Sequence, residues 1–425
     1  YKLLRKRITE FLKGDKLLSF YLLDMSLEKF VTFFERSNTR GVQLNFIDIL
    51  AAKLYTGDFN LKQKIKVFEE QNPNLILVPE LIVRTIAFYK SSPKAIHRRY
   101  ILERLDAQDF KNSWDRLCLY YKKSVDYLIE NHFVIHQGWM PYENMLVPLM
   151  VFLHEIGGDF HQMSQPQKDF LNFWYWNSVF SLRYSGSSNE RIIEDAGILT
   201  LIAKNKKITS ATWFNKLTKI QVTSAEDVFS FDRKTNAVYQ GILNLIHFDA
   251  KGLPDWQNDS RLSRNSELED HHIFPKNYLV SVIKADVDSD NIDCVANRTL
   301  MPKKLNIKIS DDAPSKYLSK VQELNPNLKQ NLQAHLIPAD LLSGDYDKDY
   351  DFFLKYRAEQ IHELVKKHLV LPFESIRSSF YEELKLDEQA NLPIFGTYKG
   401  QKVEASLNPF SQKVFYKGKS IRDKT

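Results

Sequence analysis

The segment LEDHHIFP, from Leu268 to Pro275, constrains the fold of this chain more than any other stretch. Neighbouring side chains of an extended segment point to opposite sides, so His271 and His272 cannot bind one metal ion in the manner of a helical i, i+4 pair. We therefore expect the two histidines to have different roles. The alternative is that both are ordinary loop residues beside a strand.

Two asparagines follow the histidine pair at spacings that suggest a compact unit. Asn297 lies 25 positions after His272, and Asn306 lies nine positions after Asn297. A strand with the histidines, a loop, a second strand with Asn297 and a helix carrying Asn306 would form a ββα unit around one cation.

This pattern resembles the HNH nuclease family, in the variant whose third signature residue is asparagine. Within that family it is most similar to the nuclease domain of GmrSD-type modification-dependent restriction endonucleases. The resemblance implies that His271 and Asn306 are metal ligands, that His272 is the general base, and that Asn297 orients the loop and the base. Asp270, one position before the usual ligand, is an extra candidate ligand or a hydrogen-bond partner of His271.

Phosphodiester hydrolysis explains why these residue types would occur together. An imidazole with an ordinary pKa of about 6.5 can take a proton from water near neutral pH. One imidazole and one amide oxygen leave coordination positions open for phosphate and water, which favours Mg²⁺ or Mn²⁺ over a closed structural zinc site. Four basic residues near the asparagines are candidate DNA contacts, and the alternative for each is a solvated surface charge: Arg298, Lys303, Lys304 and Lys308.

Residues 34–44 are similar to a second motif of the same restriction proteins, F-E-R-x-N-x-x-G-x-x-L, near the end of their ParB-like nucleotide-sensing domain. The resemblance implies that Arg36, Asn38, Arg40 and Gly41 contact a nucleoside triphosphate (GTP, UTP or ATP) in the complete protein. The upstream D-G-Q-Q-R motif is absent from this chain, which argues against nucleotide hydrolysis. The alternative is a turn stabilised by its own capping.

Composition excludes several other classes of protein. The chain has only 14 glycines in 425 residues and lacks both G-x-G-x-x-G and G-x-x-x-x-G-K-[ST], which excludes the Rossmann and P-loop folds. Cys118 and Cys294 belong to no C-x-x-C pair, which excludes a disulfide framework or zinc ribbon and indicates reduced cytosolic thiols. The longest apolar run, from Met145 to Leu153, is about half the length that a membrane span needs.

We predict a mainly α chain with α+β parts, in which a helical bundle is followed by a ββα-metal nuclease domain and a small β-rich tail. The predicted regions are a remnant of the sensing domain (1–56), a helical domain (57–205), the HNH nuclease domain (206–372) and a C-terminal extension (373–425). Because the chain begins at Tyr1, we expect it to be a fragment.

The predicted function is that of a cytoplasmic, metal-dependent HNH endonuclease of a bacterial defence system that cuts modified or phage DNA. A homodimer is left open. The net charge of +6 fits a polyanion partner without requiring one. Two alternatives remain: a nucleotide-regulated DNA-binding or effector-sensing protein with an inactive HNH unit, and a nucleotide hydrolase centred on residues 36–41.

Overall fold

The structure is a computed structural model, and it describes much of the chain. The described residues are 3–7, 45–55, 58–186, 188–286, 291–309, 311–382, 392–398, 401–408, 413–416 and 419–421. The predicted nucleotide-binding residues lie outside them: Arg36, Asn38, Arg40 and Gly41.

Helices dominate the chain ahead of the first strand. They are α1 (Phe46–Leu54), α2 (Leu61–Gln71), α3 (Pro79–Lys90), α4 (Arg98–Arg104), α5 (Ala107–Glu130), α6 (Leu146–Glu155), α7 (Gln165–Phe180), α8 (Asn189–Ala203), α9 (Ala211–Leu217) and α10 (Ala237–Asp249). Asn45, with an acidic residue three positions later, predicts a helix N-terminus. Helix α1 starts there, because the Asn45 side chain accepts from the Asp48 backbone N–H and the Asp48 carboxylate accepts from Asn45 N–H.

Two strands and six more helices follow up to residue 380. They are β1 (Leu268–His272), α11 (Lys276–Tyr278), β2 (Arg298–Pro302), α12 (Lys303–Ile309), α13 (Pro314–Gln322), α14 (Leu328–Ala334), α15 (Tyr350–Val365) and α16 (Phe373–Phe380). A separate antiparallel sheet in the order β3-β4-β5-β6 forms the tail, with strands β3 (Leu392–Tyr398), β4 (Gln401–Asn408), β5 (Lys413–Tyr416) and β6 (Lys419–Ile421). The prediction of a mainly α chain with some β structure is confirmed.

Helix α10 lies in a range of the sequence where apolar and polar residues show little helical periodicity. Almost the whole helix is buried, from Ala237 to His247, so it has no polar face to produce such a period. Gly241 lets it approach α7 closely, because a Cβ atom at this position would lie 2.6 Å from Cγ1 of Val179. Helix α10 also packs against α15, so it joins the helices before β1 to those after β2.

Aromatic side chains spaced mostly three or four positions apart in α7 and the turn after it predict a buried stripe. All of them are buried: Phe170, Phe173, Trp174, Trp176, Phe180 and Tyr184. One apolar cluster runs from Phe46 to Phe380 and takes in side chains from both sides of the predicted boundary near residue 206. Among the described residues, no helix is both long enough and apolar enough to cross a bilayer.

A buried carboxylate organises the polar part of this core. Asp195 is fully buried on α8 and accepts hydrogen bonds from Arg183, from the indole N–H groups of Trp174 and Trp213, and from the Tyr184 hydroxyl. The ion pair of Asp195 with Arg183 is almost completely buried. Removal of the carboxylate would leave the two indole N–H groups and the Tyr184 hydroxyl without this acceptor.

We expect Asp195→Ala to lower the free energy of unfolding by about 3–5 kcal/mol, because it removes the buried counter-charge of the Arg183 guanidinium and leaves only the half-exposed Glu194. Urea unfolding followed by circular dichroism measures this loss. Glu194→Ala is the matched control: its half-exposed carboxylate also pairs with Arg183, and its removal should cost less than about 1 kcal/mol. Equal losses in the two variants would contradict this account of the core.

Candidate functional site

Strands β1 and β2 pair antiparallel and bring the histidine segment beside the second strand. His271 lies opposite Thr299, and His272 lies opposite Arg298. Helix α12 follows β2 directly and packs against both strands. Its Leu305 and Ile309 are buried, as expected for an i, i+4 pair on the core face.

The side chains of His271 and Asn306 meet between β1 and α12. The distance from His271 Nδ1 to Asn306 Oδ1 is 2.6 Å, although the two residues are 35 positions apart. The amide nitrogen of Asn306 donates to a carboxylate oxygen of Glu269 at 2.6 Å. Glu269 precedes His271 by two positions on β1, so both side chains lie on the same face of the strand. One imidazole, one amide and one carboxylate therefore form a connected group.

The His271 ring is buried and tightly surrounded. Burial lowers its pKa to about 4, against the opposing effect of the hydrogen bond with Asn306, so the ring is neutral at pH 7. Trp256 and Tyr317 lie nearly perpendicular to the ring, with centroids 6.4 and 5.9 Å away. Its second nitrogen, Nε2, is buried and has no hydrogen-bond partner within the described part of the chain. The aromatic walls thus fix the direction in which Nδ1 points.

His272 points to the other side of β1, as the alternation of an extended strand predicts. Its Nε2 lies 2.8 Å from Oδ1 of Asp293. Asp293 also accepts from the Lys276 ammonium at 2.8 Å and from the Arg298 guanidinium at 2.6 Å. One carboxylate therefore holds three cationic or donor side chains at the edge of the site.

Burial and the neighbouring charges set the pKa values of this cluster. Burial, with a smaller contribution from Arg298, lowers the pKa of His272 to about 4, and the contact with Asp293 only partly opposes this. Burial by itself would raise the pKa of Asp293, but the hydrogen bonds from Lys276 and His272 outweigh it and bring the pKa to about 2. At pH 7, then, Asp293 is ionised and His272 is a neutral base.

Asn297 is fully buried and ties the segment after β1 to the segment before β2. Its side-chain oxygen accepts from the Phe274 backbone N–H at 2.8 Å. Its amide nitrogen donates to the carbonyl oxygens of Phe274 at 3.1 Å and Ile292 at 3.0 Å. These bonds hold the backbone that follows His272 against the backbone that precedes Asp293.

Asp270 occupies the other face of β1 from His271. The Tyr239 hydroxyl donates to its carboxylate at 2.7 Å, and Lys234 and Arg298 lie 3.6 and 3.8 Å away. No hydrogen bond or ion pair in the described residues joins Asp270 to His271 or to Asn306. The structure therefore does not bring Asp270 into the group formed by Glu269, His271 and Asn306.

The predicted DNA-binding residues differ in their surroundings. Arg298 is largely buried and bonded to Asp293 and to the backbone oxygen of Asp270. Lys303 and Lys304 are exposed on α12, and Lys303 lies 4.0 Å from Glu269. The side chain of Lys308 is outside the described part of the structure.

A cavity of about 280 Å³ opens over these side chains. His271, His272 and Asn306 all line it, so the two faces of β1 border one space. Its other walls are formed by Asp270, Pro275, Lys276, Asn277, Ile307 and Asp311. Among the described residues, no group of three or more His, Cys, Asp or Glu side chains is arranged to hold a metal ion. The candidate ligands consist instead of an imidazole, an amide oxygen and a neighbouring carboxylate.

Two side chains of the site were not predicted. Glu269 lies two positions before His271, and strand alternation could have placed it on the same face. Asp293 is separated from His272 by 21 positions, and no spacing rule connects them. Only the folded arrangement of the loop identifies Asp293 as the partner of His272.

The chain is 27% identical over 376 residues to an uncharacterized protein of Methanocaldococcus jannaschii. The similarity covers 80% of this chain and 61% of the relative, so the chain spans about three fifths of that protein's length. No protein family model matches the chain. The functional proposal therefore rests on the geometry of the cavity and on the sequence motifs.

Proposed function

We propose that this cavity is the active site of a metal-dependent nuclease that hydrolyses phosphodiester bonds in DNA. The observation that carries the proposal is the contact between His271 and Asn306 on one side of β1, with His272 facing the same cavity from the other side. The two candidate ligands and the candidate base are thus separate groups around one space, which is what metal-assisted hydrolysis by a histidine base requires.

His271 and Asn306 are the residues that would hold a divalent cation in this cavity, with the Glu269 carboxylate bonded to Asn306. Imidazole nitrogen, amide oxygen and carboxylate oxygen are all known metal donors, and a set with so few protein ligands leaves positions for water and phosphate, which suits Mg²⁺ or Mn²⁺. The Trp256 and Tyr317 rings that flank His271 restrict the orientation of its imidazole. A cation bound here would supply positive charge near the scissile phosphate.

His272 would accept the proton of the attacking water. Its ring is neutral at pH 7, so it has a lone pair for this task, and its lowered pKa makes it a weaker base than an ordinary imidazole. The bond from Nε2 to Asp293 leaves Nδ1 as the nitrogen for the water, and the negative charge of Asp293 favours the imidazolium that forms. Asn297 keeps the backbone after His272 in place, so the ring cannot move away from the cavity.

Further parts of the proposal rest on the sequence resemblance. They are a role in a bacterial defence system, recognition of modified or phage DNA, a cytoplasmic location, and a nucleoside triphosphate as effector of the complete protein. The competing function is a DNA-binding or effector-sensing protein whose HNH unit does not cut. A gel shift without metal-dependent cleavage would favour that competitor.

The metal requirement of an Asn306→Ala variant tests the proposed ligand group. We expect the Mg²⁺ concentration for half-maximal plasmid cleavage to rise about tenfold or more, because the variant loses one ligand and the contact that holds Glu269. Asn277→Ala is the matched control, since Asn277 lines the same cavity but bonds to Asp311. The ligand assignment fails if both variants need the same Mg²⁺ concentration as the wild type.

A further inference from the structure

One face of α12 combines two cationic side chains with an exposed apolar one. Leu305 and Ile309 form the buried face of this helix, whereas Lys303, Lys304 and Ile307 are exposed. Ile307 follows the two lysines by four and three positions, so all three lie on neighbouring parts of the helix surface. Ile307 exposes 70% of its surface.

The position of Ile307 separates it from ordinary exposed apolar residues. Single exposed hydrophobic side chains are common on protein surfaces and need no explanation by themselves. Ile307, however, lines the cavity that contains His271 and His272, and it is the neighbour in sequence of Asn306. A substrate bound in this cavity can therefore contact the Ile307 side chain.

Duplex DNA matches this combination of charges and apolar surface. Lysines one helical turn away can contact phosphates on the backbone, which fixes the register of the protein on the duplex. An exposed isoleucine beside these lysines carries no charge for a phosphate, and its apolar surface suits contact with sugars and bases. Branched aliphatic side chains in such positions insert between base steps, partly unstack them and kink the duplex.

We propose that Ile307 is a wedge that inserts at a base step of duplex DNA beside the scissile phosphate and positions that phosphate over the cavity. This inference rests on the proposed nuclease function and deepens it. Ile307 is a positioning residue, because it acts on the bases while His272 acts on the water. It follows that cleavage depends on how easily the step at the cut site unstacks.

The experiment compares three proteins on two substrates. The proteins are the wild type, Ile307→Ala and the control Leu324→Ala, which removes a side chain that is 65% exposed and does not line the cavity. The first substrate is a fully paired duplex, in which the wild-type cleavage step has been mapped. The second is the same duplex with one mismatch at that step.

Because unstacking a paired base step is unfavourable, we expect Ile307→Ala to cut the paired duplex about tenfold more slowly than the wild type. On the mismatched duplex, where the step is already open, the variant should cut within about twofold of the wild type. Leu324→Ala should match the wild type on both substrates. The His272→Ala protein should bind the duplex without cutting it, and its binding to a duplex with 2-aminopurine at the mapped step should raise the fluorescence. The double variant with His272→Ala and Ile307→Ala should not raise it.

The outcomes separate the wedge from the nuclease function. If the wild type cuts neither duplex in Mg²⁺ or Mn²⁺, the proposed function fails, and the inference fails with it. If the wild type cuts and Ile307→Ala cuts both duplexes at wild-type rates with an unchanged 2-aminopurine signal, the wedge is overturned and the nuclease proposal stands. A uniform loss on both duplexes also overturns the wedge, because unstacking would then not be the step that Ile307 assists.

Discussion

His272→Ala is expected to reduce metal-dependent DNA cleavage by about 10²–10⁴-fold, the contribution typical of a positioned general base. The variant loses the neutral imidazole that faces the cavity and is bonded to Asp293. Because Asp293 keeps its bonds to Lys276 and Arg298, the loss of the ring should have little effect on folding. Initial rates of plasmid cleavage and the Kd for DNA, measured side by side, separate chemistry from binding.

His161→Ala provides the control for this experiment. His161 is an exposed histidine that lines a different cavity, on the helical part of the chain, so its removal should leave the cleavage rate unchanged. The Kd of His272→Ala for DNA should stay within about threefold of the wild type, because phosphate contacts dominate affinity. A His272→Ala protein that cuts as fast as the wild type would show that another group accepts the proton.

Asn297→Ala is the second substitution expected to have a large effect, because Asn297 holds the backbone that follows His272. The substitution leaves the Phe274 N–H and the carbonyl groups of Phe274 and Ile292 without their side-chain partner in a fully buried environment. Each unsatisfied buried group costs about 1–3 kcal/mol, so the loss of partners for three groups should lower the free energy of unfolding by at least about 3 kcal/mol. Urea unfolding measures this loss.

The matched control is Asn277→Ala, which removes an amide from the rim of the same cavity. Asn277 makes an exposed hydrogen bond with Asp311, so its loss should change the unfolding free energy by less than about 0.5 kcal/mol. Asn297→Ala should also lose DNA cleavage under conditions where it is still folded, because the loop would no longer fix the His272 ring. A folded Asn297→Ala protein with wild-type cleavage would contradict the proposed role of the loop.

Local rules predicted several parts of the structure correctly. The alternation of an extended strand put His271 and His272 on opposite sides of β1. The capping pattern at Asn45 predicted the start of α1, because the two hydrogen bonds of a capping box depend only on neighbouring residues. Strand-like segments between glycines and prolines predicted the tail sheet. In each case the physical cause operates within a few residues of the chain.

Other parts depend on contacts that no local rule describes. Asp293 reaches His272 only because the loop between β1 and β2 folds back, and Asp270 bonds with Tyr239 on a helix that precedes β1 by many residues. The burial of α10 on almost all sides removed the periodic pattern that would have predicted it. The domain divisions stay predictions, as do the DNA, metal and nucleotide partners.

The most direct test of the central claim is the conversion of supercoiled plasmid to its nicked or linear form by the purified chain. The wild type should convert the plasmid in Mg²⁺ or Mn²⁺ and stop when EDTA is added, and His272→Ala purified in the same way should not convert it. If the wild type leaves the plasmid intact in both metals, or if His272→Ala nicks it at the wild-type rate, the cavity formed by β1, β2 and α12 is not the active site of a nuclease of this kind.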